Sequence, residues 1–208
     1  FAEVGFNNTI YVPNFKCIDY LPEKRRGDRN EARFVFLSRI IPEKGCNTII
    51  EAVKRLNDRY SDRFIVDFYG PFEAEYESSF RKVGNISYKG FLDLRNQKNY
   101  DKLAEYDVML FPTYWHGEGF PGIIIDAFVS GLPVIATDWS LNADIIEDGR
   151  TGIILKENSV ECLVQAMIDI IENPTMVESM SMACQNAAMN YDIKKVVSDE
   201  LLKRIGIC

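Results

Sequence analysis

Short apolar runs alternate with longer amphipathic stretches from about residue 31 to the end of the chain. The apolar runs are bounded by turn-forming residues and predict buried β-strands at 34–37, 64–69, 86–88, 108–111, 133–137 and 152–155. The amphipathic stretches repeat their apolar residues with the helical period, as Ile49, Val53 and Leu56 do. They predict helices at 47–60, 74–83, 99–106, 122–130, 142–147, 160–172, 175–190 and 193–207.

Strands that alternate with helices pair in parallel, because each helix carries the chain back to the start of the next strand. The pattern predicts an α/β, Rossmann-like domain with a mainly parallel sheet of about six strands and helices on both faces. A helical segment follows at the C-terminus. Sheets of this kind bind ligands beyond the carboxyl ends of their strands, so a site is expected on the loops that follow the strands.

The prediction divides the chain into three parts. Residues 1–30 are a connector, with a short strand at 9–12 and an exposed charged turn at 24–31. Residues 31–190 form the α/β domain, and residues 191–208 form a C-terminal helix.

Composition favours one well-buried domain of an enzyme. The 208 residues are 47% hydrophobic, and no apolar run approaches the roughly 20 residues that span a membrane. A net charge of -7 argues against general nucleic-acid binding. Five scattered cysteines without a Cys-x-x-Cys pair favour a reducing cytoplasm over a disulfide framework or a zinc site. The first residue is Phe rather than Met, so we expect a piece of a longer protein.

The segment from Pro112 to Asp126 combines a strand end, a Gly/Pro-rich turn and the start of a helix. Glu118 lies in the turn, and Asp126 follows eight residues later. Glycines let the backbone approach a ligand, and the first amides of a helix direct the positive end of its dipole at an anion. The two carboxylates can accept hydrogen bonds from hydroxyls on either side of a phosphate. This combination predicts a site for a sugar nucleotide.

Two cations, Arg39 and Lys44, lie on the loop after the first predicted strand. They would neutralise a diphosphate, although two solvated loop charges are an equal alternative from the spacing alone. No Gly-x-Gly-x-x-Gly follows the strand and Gly-Lys-Ser/Thr is absent, which excludes a dinucleotide fingerprint and a P-loop. A response-regulator receiver is also excluded, because it needs acidic residues where Ser38 and Arg39 stand.

Together, these residues resemble the C-terminal donor-binding domain of family 4 retaining glycosyltransferases, which are GT-B enzymes with two Rossmann-like domains facing across a cleft. The resemblance is carried by Arg39-x4-Lys44-Gly45, Glu118-Gly119-Phe120-x5-Asp126-Ala127-Phe128 and Gly131-Leu132-Pro133-Val134-Ile135-Ala136. It implies that an N-terminal acceptor domain precedes the connector at residues 1–30. It also implies that the helix at 191–208 could cross back to that domain.

The resemblance assigns a role to four side chains. Arg39 and Lys44 match the cations that bind the donor diphosphate and stabilise the leaving nucleotide. Glu118 matches the acid that holds hydroxyls of the donor sugar, and Asp126 matches the acid that hydrogen-bonds the ribose. The chain contains no Asp-x-Asp, the metal motif of the other major glycosyltransferase architecture. We therefore expect no metal and no cofactor, with Arg39 and Lys44 supplying the positive charge.

Backbone segments make the remaining matches, at Gly90, Phe91, Gly119, Phe120, Pro121 and Gly122. Residues 90–91 match the segment that contacts the base. Residues 119–121 match the turn beside the sugar and the phosphates. Because Pro121 has no N–H, the amides of Phe120 and Gly122 are the expected donors.

The sequence departs from the family pattern at two positions. Asp126 replaces the usual Glu, so its carboxylate lies one methylene closer to the backbone and the ribose contact is rebuilt or weakened. Ser38 stands where Gly often precedes the Arg, so this loop could approach the phosphates less closely.

Five further residues near these loops have two interpretations each. His116 is the only histidine and is either a surface residue or a catalytic group. Tyr114 and Trp115 either flank the sugar or base or pack against their own domain. Asp138 and Trp139 either touch the ligand or lie on the rim of the site.

The resemblance implies the donor-binding half of an enzyme that transfers a sugar from a UDP- or GDP-linked donor to a saccharide or lipid-linked acceptor. The expected setting is bacterial surface polysaccharide synthesis in the cytoplasm, where the full-length enzyme could associate with the inner face of the membrane. The isolated chain is expected to bind nucleotide and to transfer nothing. Two alternatives remain open, a non-catalytic nucleotide-sugar-binding module and a GT-B epimerase.

Overall fold

A computed structural model describes residues 11–24, 29–72 and 83–203 of the chain. These residues contain one parallel sheet, with strands β1 Ala32–Leu37, β2 Phe64–Tyr69, β3 Ile86–Tyr88, β4 Val108–Phe111, β5 Val134–Thr137 and β6 Gly152–Leu155. The helices are α1 Cys46–Tyr60, α2 Asn99–Ala104, α3 Gly122–Val129, α4 Asn142–Ile145, α5 Val160–Glu172 and α6 Pro174–Ala188. Short 3-10 turns occur at Pro42–Lys44 and Met189–Tyr191, and a π-helix covers Lys194–Leu202. The predicted α/β fold is confirmed.

The order of the strands across the sheet is β3-β2-β1-β4-β5-β6. The chain runs outward from β1 to β3, then crosses to β4 and runs outward in the opposite direction. At such a reversal the loops after the two central strands diverge and leave a crevice beyond their carboxyl ends. The loops at 38–45 and 112–121 follow β1 and β4, so both border this crevice.

Helices cover both faces of the sheet, as predicted, because the side chains of each central strand alternate between two cores. Phe34 and Phe36 of β1 pack into the core that contains α1 and α5. Val35 and Leu37 pack into the core that contains α3 and α6. All four side chains are buried.

The strands and helices α1 to α6 agree with the prediction to within two residues at each end. The helix predicted at 99–106 ends at Ala104, and the helix predicted at 142–147 ends at Ile145. The helix predicted at 74–83 lies outside the described residues except for Val83. So does the first half of the strand predicted at 9–12, and Tyr11 and Val12 form no strand. The charged turn predicted at 24–31 is described only in part.

The N-terminal connector packs against the C-terminal segment. The amide of Lys16 donates to the carbonyl of Tyr191 at 2.9 Å, and the amide of Ile193 donates to the carbonyl of Lys16 at 2.8 Å. The carboxylate of Asp192 accepts hydrogen bonds from the amides of Ile18 and Lys194. These contacts fix the backbone of the connector where it passes the carboxyl edge of the sheet.

The helix predicted at 193–207 takes a different geometry over the residues that the structure describes. A π-helix covers Lys194–Leu202, and residues 204–208 lie outside the description. Its first turn is anchored by Asp192, whose carbonyl accepts from the amide of Val196 at 2.9 Å. Nowhere in the described ranges is a helix long and apolar enough to cross a bilayer.

Candidate functional site

An open cavity of about 750 Å³ lies at the carboxyl edge of the sheet. Its walls come from the ends of β1 and β2, the segment after β3, helices α2 and α3, and the connector. The lining residues that matter below are Lys16, Arg39, Phe91, Tyr100 and Ile123. The volume is within the range of small-molecule sites, and the position is the one expected for a ligand of this fold.

Arg39 and Lys44 share the first loop but have different environments. Arg39 is exposed, and its guanidinium lies 4.8 Å from the centre of the Trp115 ring. Among the described residues, no carboxylate forms an ion pair with it. Lys44 is only 5% exposed, and its ammonium lies 4.2 Å from the centre of the same ring. The Trp115 indole ring therefore supports both cations by cation–π attraction.

Lys44 forms a buried ion pair with Glu118. Its Nζ lies 2.5 Å from Oε2 of Glu118, and the two side chains are 6% and 10% exposed. The Thr113 hydroxyl also donates to Oε2, at 3.1 Å. The other carboxylate oxygen has no hydrogen-bond partner among the residues that the structure describes. The sequence predicted both residues at this site but did not predict their direct contact.

The close approach of the two loops depends on Gly45. Its φ of +80° is in the left-handed region, and an added Cβ would lie 2.1 Å from the carbonyl oxygen of Pro112. The Tyr114 amide also donates to the carbonyl of Glu43 at 2.9 Å, which joins the loop after β4 to the loop after β1. Glycine at position 45 therefore brings Lys44 within reach of Glu118.

Residues after β5 hold the Glu118 turn from the other side. The Ser140 hydroxyl donates to the carbonyl of Glu118 at 2.8 Å, and Ser140 itself adopts a φ of +51°. The indole N–H of Trp139 donates to the carbonyl of Trp115 at 2.8 Å. The exposed ring of His116 lies 5.2 Å from the Trp139 ring. Trp139 and Ser140 therefore hold the loop at 112–121, and the His116 ring of that loop packs against Trp139.

The predicted backbone segment begins α3 as expected. Gly122 is the first helical residue and buried Pro121 precedes it, so the amides of Gly122 and Ile123 have no intrahelical acceptor. The amide of Ile124 donates to the carbonyl of Pro121 at 3.0 Å. An added Cβ at Gly119 would meet nothing within 4 Å, which leaves room for a ligand beside the turn. The Phe120 ring packs edge-on against Tyr191 at 5.7 Å. The turn therefore faces open space on one side and the C-terminal segment on the other.

The second predicted acid, Asp126, is 4% exposed and has a donor on each carboxylate oxygen. The Tyr100 hydroxyl donates to Oδ1 at 2.6 Å, and the Lys16 ammonium donates to Oδ2 at 2.8 Å. Burial and the neighbouring carboxylate raise the pKa of Tyr100, so this hydroxyl stays a donor. Sequence analysis missed both partners, because Lys16 is 110 residues from Asp126 and had been assigned to the connector.

The segment after β3 forms one edge of the cavity. Gly90 has a φ of +83°, and its carbonyl accepts from the amide of Gly70 at 2.9 Å. Phe91 is 72% exposed and lines the cavity. Contact of these two residues with a base stays a prediction. In the described parts of the chain, no three His, Cys, Asp or Glu residues group as metal ligands would.

Comparison with known proteins places the chain in a family. The profile of the family described as "Glycosyl transferases group 1" matches residues 19–189. A 2-deoxystreptamine N-acetyl-D-glucosaminyltransferase of Niallia circulans is 31% identical over 156 residues, which cover 70% of this chain and 38% of that protein. A UDP-Gal:alpha-D-GlcNAc-diphosphoundecaprenol alpha-1,3-galactosyltransferase of Escherichia coli is 26% identical, over 89% of this chain and 51% of that protein.

Solved structures share the fold. The pneumococcal O-GlcNAc transferase GtfA, in complex with UDP and GlcNAc, matches 92% of this chain and 38% of its own, with a TM-score of 0.73 and 20% identity. The C-terminal domain of the glycosyl transferase LpcC from Francisella tularensis matches 83% of this chain and 96% of its own, with a TM-score of 0.68 and 19% identity. This chain spans about half the length, or less, of the two curated relatives above. It folds as one Rossmann-like half of a GT-B architecture, and it belongs to the glycosyl transferases group 1 family.

Proposed function

We propose that this chain is the donor-binding domain of a family 4 retaining glycosyltransferase. The observation that carries the proposal is that Arg39 and the start of α3 line one cavity, while the Lys44–Glu118 pair joins the two loops that carry them. The full-length enzyme would transfer a sugar from a UDP- or GDP-linked donor to a saccharide or lipid-linked acceptor. The donor would lie with its sugar toward Glu118, its ribose toward Asp126 and its diphosphate between them.

The charges of the site suit a diphosphate. The guanidinium of Arg39 has no carboxylate partner among the described residues and can bind phosphate oxygens as a fork. Lys44 uses one of its three N–H donors on Glu118 and keeps the others for a ligand. Amides at the start of α3 add the positive end of a helix dipole. These groups would stabilise the negative charge that develops on the leaving nucleotide, without any rearrangement during the reaction.

Glu118 suits a sugar hydroxyl. Lys44 and Thr113 both hold Oε2, so the carboxylate is fixed in one orientation and its second oxygen remains free to accept. A carboxylate held in this way accepts a hydroxyl without paying the entropy of ordering its own side chain. The apolar wall of the cavity, with exposed Phe91 at its edge, suits the flat face of a base.

The acceptor side of the reaction is proposed from the comparisons. The E. coli relative carries a lipid-linked acceptor in its name, and matched relatives are about twice the length of this chain. A second domain across the cavity would bring the acceptor. The proposed setting is bacterial surface polysaccharide synthesis at the cytoplasmic face of the membrane.

Retention of the anomeric configuration would follow a front-face path, in which the departing phosphate helps to accept the proton of the acceptor. Arg39 and Lys44 would supply the charge without a metal. The 208 residues alone would bind the donor and transfer nothing.

A binding panel tests the donor site directly. Thermal unfolding of the chain is measured with UDP, GDP, ADP and their sugars, and one base is expected to stabilise the fold. A ligand at about 100 times its dissociation constant should contribute roughly 2.7 kcal/mol. Arg39→Met should weaken that binding about tenfold or more, as expected for a lost charge-assisted hydrogen bond.

The matched control is Arg55→Met, which removes an exposed guanidinium paired with Glu161 on α1 and α5. It should bind as the unaltered chain does. No shift with any nucleotide, or equal affinity of the two variants, would reject the site. In the full-length enzyme, Glu118→Ala separates a transferase from a non-catalytic binding module or an epimerase. Only a transferase should lose sugar transfer to the acceptor.

A further inference from the structure

The connector places one cation at the wall of the cavity. The ammonium of Lys16 lies 2.8 Å from Oδ2 of Asp126, and its side chain is 32% exposed. Lys16 and Tyr100 line the cavity, whereas Asp126, at 4% exposure, does not. A ligand in the cavity therefore meets the Lys16 ammonium before it meets the carboxylate behind it.

We propose that Lys16 is a nucleotide-binding residue whose ammonium contacts a phosphate of the donor, and that Asp126 is the positioning residue that holds it. The inference rests on the proposed function and names a further contact within the same site. Asp126 would then act on the nucleotide through Lys16 and Tyr100 rather than by direct contact with the ribose.

The location of the ammonium favours a phosphate over a neutral group. An added Cβ at Gly122, the first residue of α3, would lie 3.9 Å from Lys16 Nζ. A cation beside the positive end of a helix is unfavourable unless an anion lies close to both. Asp126 compensates in part, and it is paired on both oxygens already. A bound phosphate could meet Lys16, Arg39 and the start of α3, because Lys16, Arg39 and Ile123 line the same cavity.

The short side chain of Asp126 explains why Lys16, rather than the carboxylate, lines the cavity. One methylene shorter than the glutamate of the family pattern, this carboxylate stays within the protein, where Tyr100 and Lys16 satisfy it. The ammonium keeps two further N–H donors, and no other acceptor among the described residues binds them. These two donors are the polar groups that Asp126, Lys16 and Tyr100 can together offer to a ligand.

Lys16 is held by the fold, unlike an ordinary surface lysine. Its amide and its carbonyl are both bound, by Tyr191 and Ile193. Its neighbour Asn14 donates from Nδ2 to the carbonyl of Phe120 at 2.8 Å, which joins the connector to the Glu118 turn. The backbone that carries the ammonium is therefore fixed relative to both predicted acids.

Titration calorimetry on the 208-residue chain tests the contact, using the nucleoside diphosphate that binds best and its parent nucleoside. Lys16→Met should weaken the diphosphate about tenfold or more and leave the nucleoside unchanged, because only the former carries a phosphate. Lys16→Arg keeps the charge and should retain most of the affinity. The matched control is Arg29→Met, which removes a cation that pairs with buried Asp107 at the opposite edge of the sheet. It should bind both ligands normally.

The positioning role of Asp126 has its own readout. Asp126→Asn should weaken the diphosphate in the unaltered chain but cost little more when Lys16 is already Met, because the two residues act through one contact. If Asp126→Asn lowered the affinity for the diphosphate equally in the unaltered chain and in Lys16→Met, Asp126 would have only a structural role, and its proposed role in positioning Lys16 would be rejected. The phosphate contact would be overturned if Lys16→Met bound the diphosphate within twofold of the affinity of the unaltered chain, or if it lost as much affinity for the nucleoside. Either result would leave the proposed function standing. Failure of the unaltered chain to bind any nucleotide would reject the proposed function, and this inference with it.

Discussion

The buried pair of Lys44 and Glu118 makes a sharp prediction about stability. Replacing Lys44 by Met removes the cation and leaves the Glu118 carboxylate, only 10% exposed, with Thr113 as its one remaining donor. Replacing Glu118 by Gln leaves the Lys44 ammonium, 6% exposed, against the Trp115 ring. Each single change therefore leaves one buried charge without its partner. This costs more stability than removing both charges together.

The expected magnitude follows from that burial. Breaking a buried pair from one side costs about 3–5 kcal/mol, and Trp115 and Thr113 moderate the loss toward about 3 kcal/mol. For a chain of this size, that loss lowers the melting temperature by roughly 6–12 °C. The double variant removes both charges together. We expect it to be less destabilised than the sum of the single changes by about 2 kcal/mol.

Urea unfolding of the four proteins measures the cycle, with the linear slope checked for constancy. The control is the exposed pair of Lys102 and Glu105, whose side chains are 47% and 49% exposed. Its cycle should give a coupling of about 0.5 kcal/mol or less. If the Lys44 and Glu118 changes add to within ~0.5 kcal/mol, the two charges are not coupled, and the argument from burial is wrong.

Four further predictions address cysteine reactivity and the stability of the site. The hydrogen bond from Cys17 to Asp19 raises the pKa of the thiol, so iodoacetamide should alkylate Cys17 slowly. Because Cys17 lines the cavity, a bound nucleotide should slow this alkylation further. Cys46, whose pKa burial raises to about 12, should stay unmodified in the folded protein by mass spectrometry. Gly45→Ala should cost several-fold more stability in urea than Gly149→Ala, because both have positive φ but only the first Cβ meets backbone atoms. Tyr100→Phe should cost about 1.5–3 kcal/mol of unfolding free energy, since it removes a donor to a buried carboxylate.

The sheet could be predicted well because its strands are short, apolar and bounded by turn residues. The end of α2 was predicted two residues too late, and Tyr106 shows why. Its apolar ring continues the helical pattern, yet its hydroxyl donates to buried Asp67 at 2.8 Å and lies 3.0 Å from the hydroxyl of Tyr69. The chain leaves the helix at Ala104 and places the Tyr106 hydroxyl in a polar network with two residues of β2. That network involves residues nearly 40 positions apart, and local periodicity carries no information about it.

The site could be predicted to the level of its loops but not of its contacts. Arg39, Lys44 and Glu118 were expected at one edge, because loops after parallel strands share an edge. Which cation contacts which acid depends on how deeply each side chain is buried between the loops, which the sequence pattern does not indicate. Gly45 sets that depth for Lys44 by allowing its loop to approach Pro112. The contact of Lys16 with Asp126 was beyond prediction for another reason, since a connector shows no periodicity that would locate its side chains.

The two ion pairs give the proposed site a charge balance that suits its ligand. Without a ligand, Lys44 is neutralised by Glu118 and Lys16 by Asp126, which leaves Arg39 as the cation without an acid among the described residues. A nucleoside diphosphate brings more negative charge than one guanidinium can balance. Each paired ammonium still has unused N–H donors for a phosphate, and Glu118 still has an unused oxygen for a hydroxyl. The site can therefore accept both parts of a sugar nucleotide without breaking either pair. The buried charges of Lys44, Glu118 and Asp126 stay compensated before and after binding, which avoids the cost of an isolated charge in the empty state.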